Sequence, residues 1–171
     1  MQNTPSSCSG STNGNLSYPV SLVESLPSAL QINAAVGTTS KTFSQFTIDT
    51  GSLGVVVPES ELLSNGVIAG PGAMGVKYYD SSGNTFAGHY YLAPVTIALP
   101  GGKTVQTQPI LVLGINNAYC SGPSTLPCHS ESAPKANLHY LGVGFNRNST
   151  ESGDLFNSPT ANAFFAPKRC K

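Results

Sequence analysis

The chain has 171 residues, of which 39% are hydrophobic and 9% are charged, and its eight basic residues balance its eight acidic ones. A nucleic-acid-binding protein needs a basic surface to neutralise phosphates, so this balance argues against one. No apolar run approaches the roughly 20 residues of a membrane-spanning helix, and the low net charge argues against charge-driven disorder. With 18 glycines and 13 prolines, the composition favours one turn-rich domain with a single core.

The beginning of the chain differs in composition from the remainder. Its residues are polar and carry no regular period as far as Ser17. Residues 1–28 are therefore predicted to be a polar N-terminal arm, and residues 29–171 are predicted to form one folded lobe.

Short apolar segments follow one another from residue 29 onward. Segment 30–34 alternates apolar and polar residues with the two-residue period of a half-buried strand. Segments 42–48 and 55–57 predict two further strands, and the second of these stops at Pro58 because proline is tolerated only at strand ends. The mixed segment 59–63 predicts one or two helical turns.

The second half of the chain continues the same pattern. One predicted hairpin has turn residues between its strands, and a second predicted pair is linked through a Pro-Gly-Gly turn. Short strands with turn signals about every ten residues are typical of an all-β sandwich or barrel. The strand segments are 76–79 with 85–92, 95–99 with 108–113, and 140–145, and a brief helix is predicted at 160–165.

The four cysteines indicate disulfides and not a metal site. They contain no C-x-x-C pair, so no zinc site is predicted. The glycine and prolines between Cys120 and Cys128 suit a loop closed by a disulfide, which would leave Cys8 to pair with Cys170. An even cysteine count and low charge favour an oxidising compartment, so a secreted or periplasmic location is expected.

One acidic residue stands where a carboxylate is costly to bury. Asp49 directly follows an apolar segment, and burial of a carboxylate costs several kcal/mol unless the group is hydrogen-bonded. Thr50, Gly51 and Ser52 offer hydroxyls and the free N–H groups of a tight turn. The pattern predicts a rigidly held carboxylate near a cleft. The three histidines have no recognisable nucleophile beside them and are predicted to be surface or packing residues.

The segment around Asp49 resembles the pepsin-like aspartic proteases, in which D-T-G-S between two apolar strands forms the active-site turn. Val57 and Pro58 stand where that family has its Val-Pro pair. Segment 34–38 is similar to the first hairpin of the family, and segment 140–145 is similar to the apolar-apolar-Gly strand that packs beside the turn. The resemblance departs at Val56, where the family usually has a tryptophan.

The resemblance implies a fold and a set of roles. The fold would be an acid-protease-like single-lobe closed β-barrel with one or two short helices. Asp49 would be catalytic, and Thr50, Gly51 and Ser52 would support it. The hairpin 76–92 would be the flap over a polypeptide substrate. Its flap and substrate-binding residues would be Tyr79, with Tyr78 as the alternative, together with Ser82 and Gly83.

The resemblance also requires a second catalytic aspartate. An aspartic protease needs two carboxylates that share one proton. Of the other aspartates, Asp80 lies in the expected flap tip, and Asp154 lacks the T-G that would follow a second catalytic one. The second aspartate would come from another lobe or from a second copy of the chain. Alternatively, the chain is a non-catalytic binding or structural module that keeps this fold. The carboxylate pair activates water directly, so neither metal nor organic cofactor is expected.

Overall fold

The computed structural model describes residues 22–25, 29–38, 42–67, 72–79, 83–120, 138–144 and 156. This part of the chain is mostly β, as predicted, with one short α-helix. No helix within it is long and apolar enough to cross a membrane. The elements are β1 (Leu22–Ser25), β2 (Ala29–Val36), β3 (Ser44–Asp49), β4 (Leu53–Pro58), α1 (Glu59–Ser64), β5 (Met74–Tyr79), β6 (Asn84–Ala93), β7 (Val95–Ala98), β8 (Thr104–Gln106), β9 (Ile110–Cys120) and β10 (Tyr140–Val143).

All of these strands belong to one sheet. Nine of them follow the order β5-β6-β9-β4-β10-β3-β2-β7-β8, and β1 pairs with β2 beside this path. Within the described residues the two end strands, β5 and β8, do not pair with each other. The sheet is therefore open along this path, and the closed barrel stays a prediction.

The pairing predicted between segments 95–99 and 108–113 is wrong. β7 pairs with β2 and β8, whereas β9 pairs with β6 and β4. Gly101 and Gly102 adopt positive φ angles of 71° and 70°, and the backbone N–H of Leu99 donates to the Lys103 carbonyl at 2.8 Å. Because this tight turn reverses the chain within a few residues, the next strand starts at Thr104 and is complete before segment 108–113 begins.

Strand β1 lies inside segment 1–28, where the residue pattern does not indicate a strand. It pairs antiparallel with β2, from Leu22 opposite Ile32 to Ser25 opposite Ala29. The pairing is between backbones, so it does not require the apolar period that makes other strands visible in the sequence. The helix predicted at 160–165 lies outside the described residues.

Two apolar clusters cover the two faces of the sheet, and β4 contributes to both. Val55 and Val57 pack in the cluster that includes Leu141 and Tyr91. Val56 packs in the other cluster, with Phe156. Successive side chains of a strand point to opposite faces, so a strand buried on both faces has an unbroken apolar sequence. The run of three valines is explained by this central position.

Helix α1 follows β4 directly, where segment 59–63 predicts it. It runs from Glu59 to Ser64 after Pro58, and Leu62 is its buried residue. Asn65, just after the helix, donates from its side chain to the Val36 carbonyl at 3.0 Å. The helix is thereby fixed against the end of β2, and its two glutamates lie at its first turn.

Candidate functional site

The turn between β3 and β4 holds Asp49 through its own residues. One carboxylate oxygen, Oδ1, accepts a hydrogen bond from the Gly51 N–H at 2.8 Å. The other, Oδ2, accepts one from the Ser52 hydroxyl at 2.5 Å. Ser52 is buried, Asp49 is partly buried, and Thr50 and Gly51 are exposed. The carboxylate is therefore fixed by donors two and three residues along the chain.

Strand β10 lies between β3 and β4 and positions the Asp49 turn from behind. Gly142 of β10 is opposite Asp49 on one side and Gly54 on the other. A Cβ added at Gly142 would lie 2.5 Å from the Leu53 carbonyl carbon, so only glycine allows this approach. The N–H of Gly144 then donates to the Ser52 carbonyl at 2.8 Å. The segment 140–145, which the sequence singled out, is in direct contact with the turn through its described residues.

Gly54 is the second glycine that the turn requires. It adopts a φ of +90°, and a Cβ at this position would lie 2.3 Å from the Phe156 ring. The ring of Phe156 is fully buried. Phe156 therefore packs directly on the backbone just after Ser52 and closes the space beneath the turn.

A cleft of about 360 Å³ opens beside the Asp49 carboxylate. It lies within the size range of small-molecule and side-chain pockets. Asp49 is the one charged side chain among the described residues that line it. The lining residues are Ala29, Leu30, Thr47, Ile48, Asp49, Thr50, Tyr79, Asn84, Phe86 and Tyr140.

Three aromatic rings form one wall of this cleft. The Tyr79 ring centre is 5.4 Å from that of Phe86 and 5.3 Å from that of Tyr140. Phe86 and Tyr140 are 5.9 Å apart. The spacing and the tilted or edge-on arrangement are those in which aromatic rings attract one another. The rings bring the hairpin β5–β6 together with β10, which lies much later in the chain.

Tyr140 is the cleft residue whose role the sequence reading missed. β10 runs parallel to β3, with Tyr140 opposite Thr47 and Gly142 opposite Asp49, so its side chain is on the same face of the sheet as Asp49. Burial raises the pKa of the Tyr140 hydroxyl, and the negative charge of Asp49 raises it further. The hydroxyl therefore stays protonated and can donate a hydrogen bond. The signal in the sequence that could have identified Tyr140 as a cleft residue is its position two residues before Gly142.

The structure describes some of the predicted flap residues and not others. Tyr79 is at the end of β5 and lines the cleft. Gly83 adopts a φ of +68°, and its N–H donates to the Tyr79 carbonyl at 2.8 Å. Ser82 lies outside the described residues. The hairpin β5–β6 is therefore present beside the cleft, and a backbone hydrogen bond joins Gly83 to Tyr79 at the ends of its strands.

The cysteine predictions fall mainly on parts of the chain that the structure does not describe. Cys8, Cys128 and Cys170 lie outside the described residues, and Cys120 is the last residue of β9. Both disulfides stay predictions. In the described part of the chain, no three His, Cys, Asp or Glu side chains come together as metal ligands.

A second carboxylate, that of Glu59 in α1, is surrounded by donors from distant strands. Its Oε1 accepts a hydrogen bond from the Tyr91 hydroxyl at 2.6 Å and lies 2.8 Å from His89 Nδ1. Its Oε2 accepts one from the Asn116 amide at 2.7 Å. Burial acts to raise the Glu59 pKa, but the hydrogen bonds from Tyr91, Asn116 and His89 outweigh it and leave that pKa below its ordinary value. Burial and Glu59 together raise the pKa of Tyr91 to about 12.

Glu61 makes a similar contact on the other side of α1. Its Oε2 lies 2.5 Å from Nε2 of His139, which is buried and packs its ring against Phe46. The His139 carbonyl accepts a hydrogen bond from the Thr47 N–H at 2.9 Å. His139 is therefore a packing residue, whereas His89 is partly exposed, and each contacts a glutamate of α1.

The geometry limits what the two carboxylates can do chemically. Glu59 is surrounded by donors and is not among the residues that line the cleft. Asp49, by contrast, lines a cleft that can hold a ligand. An ionised carboxylate in such a position can accept a proton from water or attract a cation. No protein-family model matches this chain, and no curated protein matches it.

Proposed function

We propose that this chain is one lobe of an aspartic endopeptidase of the pepsin-like type, including the closed β-barrel of that lobe. It hydrolyses extended polypeptide with a second aspartate that another lobe or a second copy supplies. The observation that carries the proposal is the Asp49 turn. Its carboxylate is oriented through Gly51 and Ser52 and lines a cleft, which is the placement that water activation requires.

The chemistry needs two carboxylates that share one proton. The ionised one takes a proton from a water molecule as the water oxygen attacks the peptide carbonyl carbon. The protonated one gives its proton to the carbonyl oxygen, and a tetrahedral intermediate forms. The first carboxyl group then gives the proton it accepted to the amine nitrogen as the C–N bond breaks, and a hydroxyl of the intermediate returns its proton to the second carboxylate as the carbonyl re-forms. Two carboxylates about 3 Å apart cannot both be ionised, so the pair holds one proton between them.

The position of β10 supports this assignment. It inserts between the two strands that flank the Asp49 turn and touches the turn through Gly142 and Gly144. A carboxylate that must meet a twin within about 3 Å has to be held rigidly. Backbone contacts on both sides of the turn supply that rigidity without a flexible side chain.

The hairpin β5–β6 supports a polypeptide as the substrate. Tyr79 places this hairpin beside the same cleft as Asp49. An extended substrate would pair with its backbone as an added strand, with Tyr79, Ser82 and Gly83 as contacts. Secretion and the disulfides Cys120–Cys128 and Cys8–Cys170 belong to the same proposal, because an extracytoplasmic enzyme would keep them oxidised.

The direct test is digestion of a peptide library at pH 3 to 7 with the wild-type chain and with Asp49→Asn. Where a second copy or a further lobe supplies the other aspartate, we expect cleavage by the wild-type protein and a loss of at least about 10³-fold in the variant, because removal of a catalytic group has effects of this size. Asn keeps the shape of the side chain, so the variant controls for folding. Equal cleavage by both proteins would discard the role of Asp49.

The source of the second aspartate can be tested by mixing. If two copies pair, the specific activity rises with chain concentration, and an excess of Asp49→Asn chains suppresses it by forming mixed dimers. If a further lobe is needed, a chain that stays monomeric in analytical ultracentrifugation has no activity at any concentration.

A non-catalytic binding module is the second candidate function. It is favoured by one observation, that Asp49 is the sole carboxylate among the described residues of the cleft. Absence of cleavage at all pH values, together with ligand binding that depends on Asp49, would favour this candidate.

A further inference from the structure

The cleft beside Asp49 has one negative charge and no positive one among the described residues that line it. Charge complementarity therefore favours a cationic ligand, since an anion would meet an uncompensated carboxylate. The whole chain has a formal net charge of zero. The preference is consequently a local property of this cleft and not a consequence of overall charge.

The carboxylate keeps accepting capacity for such a ligand. An ionised carboxylate offers about four acceptor positions. The turn uses one on each oxygen, through the Gly51 N–H and the Ser52 hydroxyl. The remaining acceptor positions of Asp49 are those that a ligand in the cleft can use, because the Asp49 side chain lines the cleft.

The aromatic wall adds a second feature that attracts cations. Aromatic faces carry a negative quadrupole, and a cation within about 6 Å of a ring centre is attracted to it. Tyr79 and Tyr140 are partly exposed and line the cleft, while Phe86 is buried and supports them. The raised pKa of Tyr140 keeps its hydroxyl neutral, so it can accept a hydrogen bond from a cationic ligand as well as donate one.

The apolar part of the lining suits an alkyl stem. Leu30 lines the cleft and is 51% exposed although it is a large apolar residue. Ala29 lines the same cleft, whereas the Ile48 side chain packs on the opposite face of β3 from Asp49. Long basic side chains pack their methylene groups along apolar surface while the charged head remains in a polar place.

We propose that this cleft binds the basic side chain of a lysine or arginine residue of a polypeptide. The alkyl stem lies along Leu30 and Ala29, and the cationic head lies against Tyr79 and Tyr140 within the field of Asp49. A neutral apolar side chain would remove water from the Asp49 carboxylate without replacing the hydrogen bonds that the water makes. That this residue belongs to a substrate rests on the proposed function, whereas the binding requires no catalysis.

The test compares two blocked peptides, acetyl-Ala-Lys-Ala-amide and its neutral counterpart with norleucine in place of lysine. The chain, labelled with ¹⁵N, is titrated with each, and amide shifts are followed in two-dimensional NMR spectra. We expect the lysine peptide to bind at least ten-fold more tightly, to shift residues 47–50 and 140–142, and to weaken with added salt. Equal or tighter binding of the norleucine peptide, shifts elsewhere, or no binding of either at 10 mM would overturn the proposal.

Three variants identify the groups that recognise the cation. Asp49→Asn should remove most of the preference for lysine over norleucine, and Tyr140→Leu should weaken the lysine peptide several-fold. Phe43→Leu is the matched control, because Phe43 is 40% exposed and is not among the residues that line the cleft. It should bind like the wild-type chain, and each variant's fold is checked by its NMR spectrum. An unchanged preference in Asp49→Asn would contradict the proposal.

This result is separable from the endopeptidase test. Tight lysine-peptide binding without any cleavage supports the cation site and rejects catalysis by the chain. Cleavage of library peptides that lack basic residues, at rates equal to those that contain them, supports catalysis and rejects the assignment of the basic residue to the substrate, whereas the NMR titration decides whether the cation site exists.

Discussion

Asp49 ends β3 and Glu59 directly follows β4, the next strand along the chain, and the two carboxylates differ in where their donors come from. The donors to Asp49 are Gly51 and Ser52, two and three residues away. Glu59 is held by His89, Tyr91 and Asn116, which are 30, 32 and 57 residues away. The first arrangement is a property of one turn, whereas the second joins α1 to β6 and β9.

The comparison shows that hydrogen bonding to a carboxylate does not by itself reveal its role. Glu59 has two partners on one oxygen and one on the other, so its capacity is used to fasten the helix. Asp49 has one partner on each oxygen and faces a cleft. Capacity that is left open toward a cleft distinguishes a site from a structural anchor.

The largest expected effect comes from breaking the support of the Asp49 turn. Gly142→Ala should lower the free energy of unfolding by about 3 kcal/mol or more, because the new Cβ would meet backbone atoms of Leu53 and Gly54 within 2.9 Å. Backbone atoms cannot move aside as a side chain can. Urea unfolding followed by circular dichroism measures the loss.

Gly102→Ala is the matched control for that substitution. Gly102 has a φ of +70° and nothing within 4 Å of an added Cβ, so it should lose only the roughly 1 kcal/mol of a left-handed non-glycine residue. Equal losses in the two variants would show that close packing at Gly142 does not hold the turn.

The next effect separates the two carboxylates directly. Glu59→Ala should cost about 2–3 kcal/mol, since hydrogen bonds to a charged group contribute about 1.5–3 kcal/mol and the buried Tyr91 hydroxyl loses its partner. Asp49→Ala should cost less, about 1–2 kcal/mol, because the Gly51 N–H is exposed to water and only the buried Ser52 hydroxyl loses its partner without replacement. Thermal or urea unfolding of both variants checks the difference. A larger loss for Asp49→Ala would reverse the assignment of anchor and site.

Protonation of Glu59 at low pH should lower the free energy of unfolding by less than the Glu59→Ala substitution does. The folded-state pKa of Glu59 lies below its ordinary value, so its contribution is fully present above the unfolded pKa of about 4.3 and is lost as the pH falls through the lowered folded pKa. The loss is smaller because a protonated carboxyl group keeps part of its hydrogen bonding. Urea unfolding from pH 6 to pH 3 should show a shallower acid decline in Glu59→Gln than in the wild-type chain. Parallel declines would place the acid sensitivity elsewhere.

The smallest effect concerns one donor of the Asp49 turn. Ser52→Ala removes the hydroxyl that donates to Oδ2 and should cost about 1 kcal/mol. The Gly51 N–H still holds Oδ1, so the turn should keep its shape. Unfolding measurements give the cost, and NMR shifts confined to residues near the turn would agree with it. Shifts that reach the α1 anchor would contradict the separation of the two regions.

Several features follow from residue type and spacing over short distances. Apolar alternation identifies β2, and three adjacent valines mark β4 as a strand. The D-T-G-S sequence contains both the Asp49 carboxylate and its donors. Such features need only neighbouring residues, and for that reason they can be inferred without knowledge of the fold.

Other features depend on which strands become neighbours. The sequence predicts a pairing of segment 95–99 with 108–113. In the structure β7 pairs with β8 instead, and the apolar pattern of the sequence did not indicate this short strand. The same pattern missed β1, whose pairing with β2 uses backbone groups that any sequence has. It also treated Tyr140 as part of an apolar segment, although parallel pairing with β3 puts that residue in the cleft.

The sequence by itself determined the β class, the short helix after β4 and a carboxylate held by its own turn. The tertiary structure alone decided that this carboxylate faces an aromatic wall and that Glu59 does not. The physical reason is range: bonds within a turn are set by residues that are adjacent in the chain, whereas a cleft and an anchor form only when sheet pairing brings distant segments together.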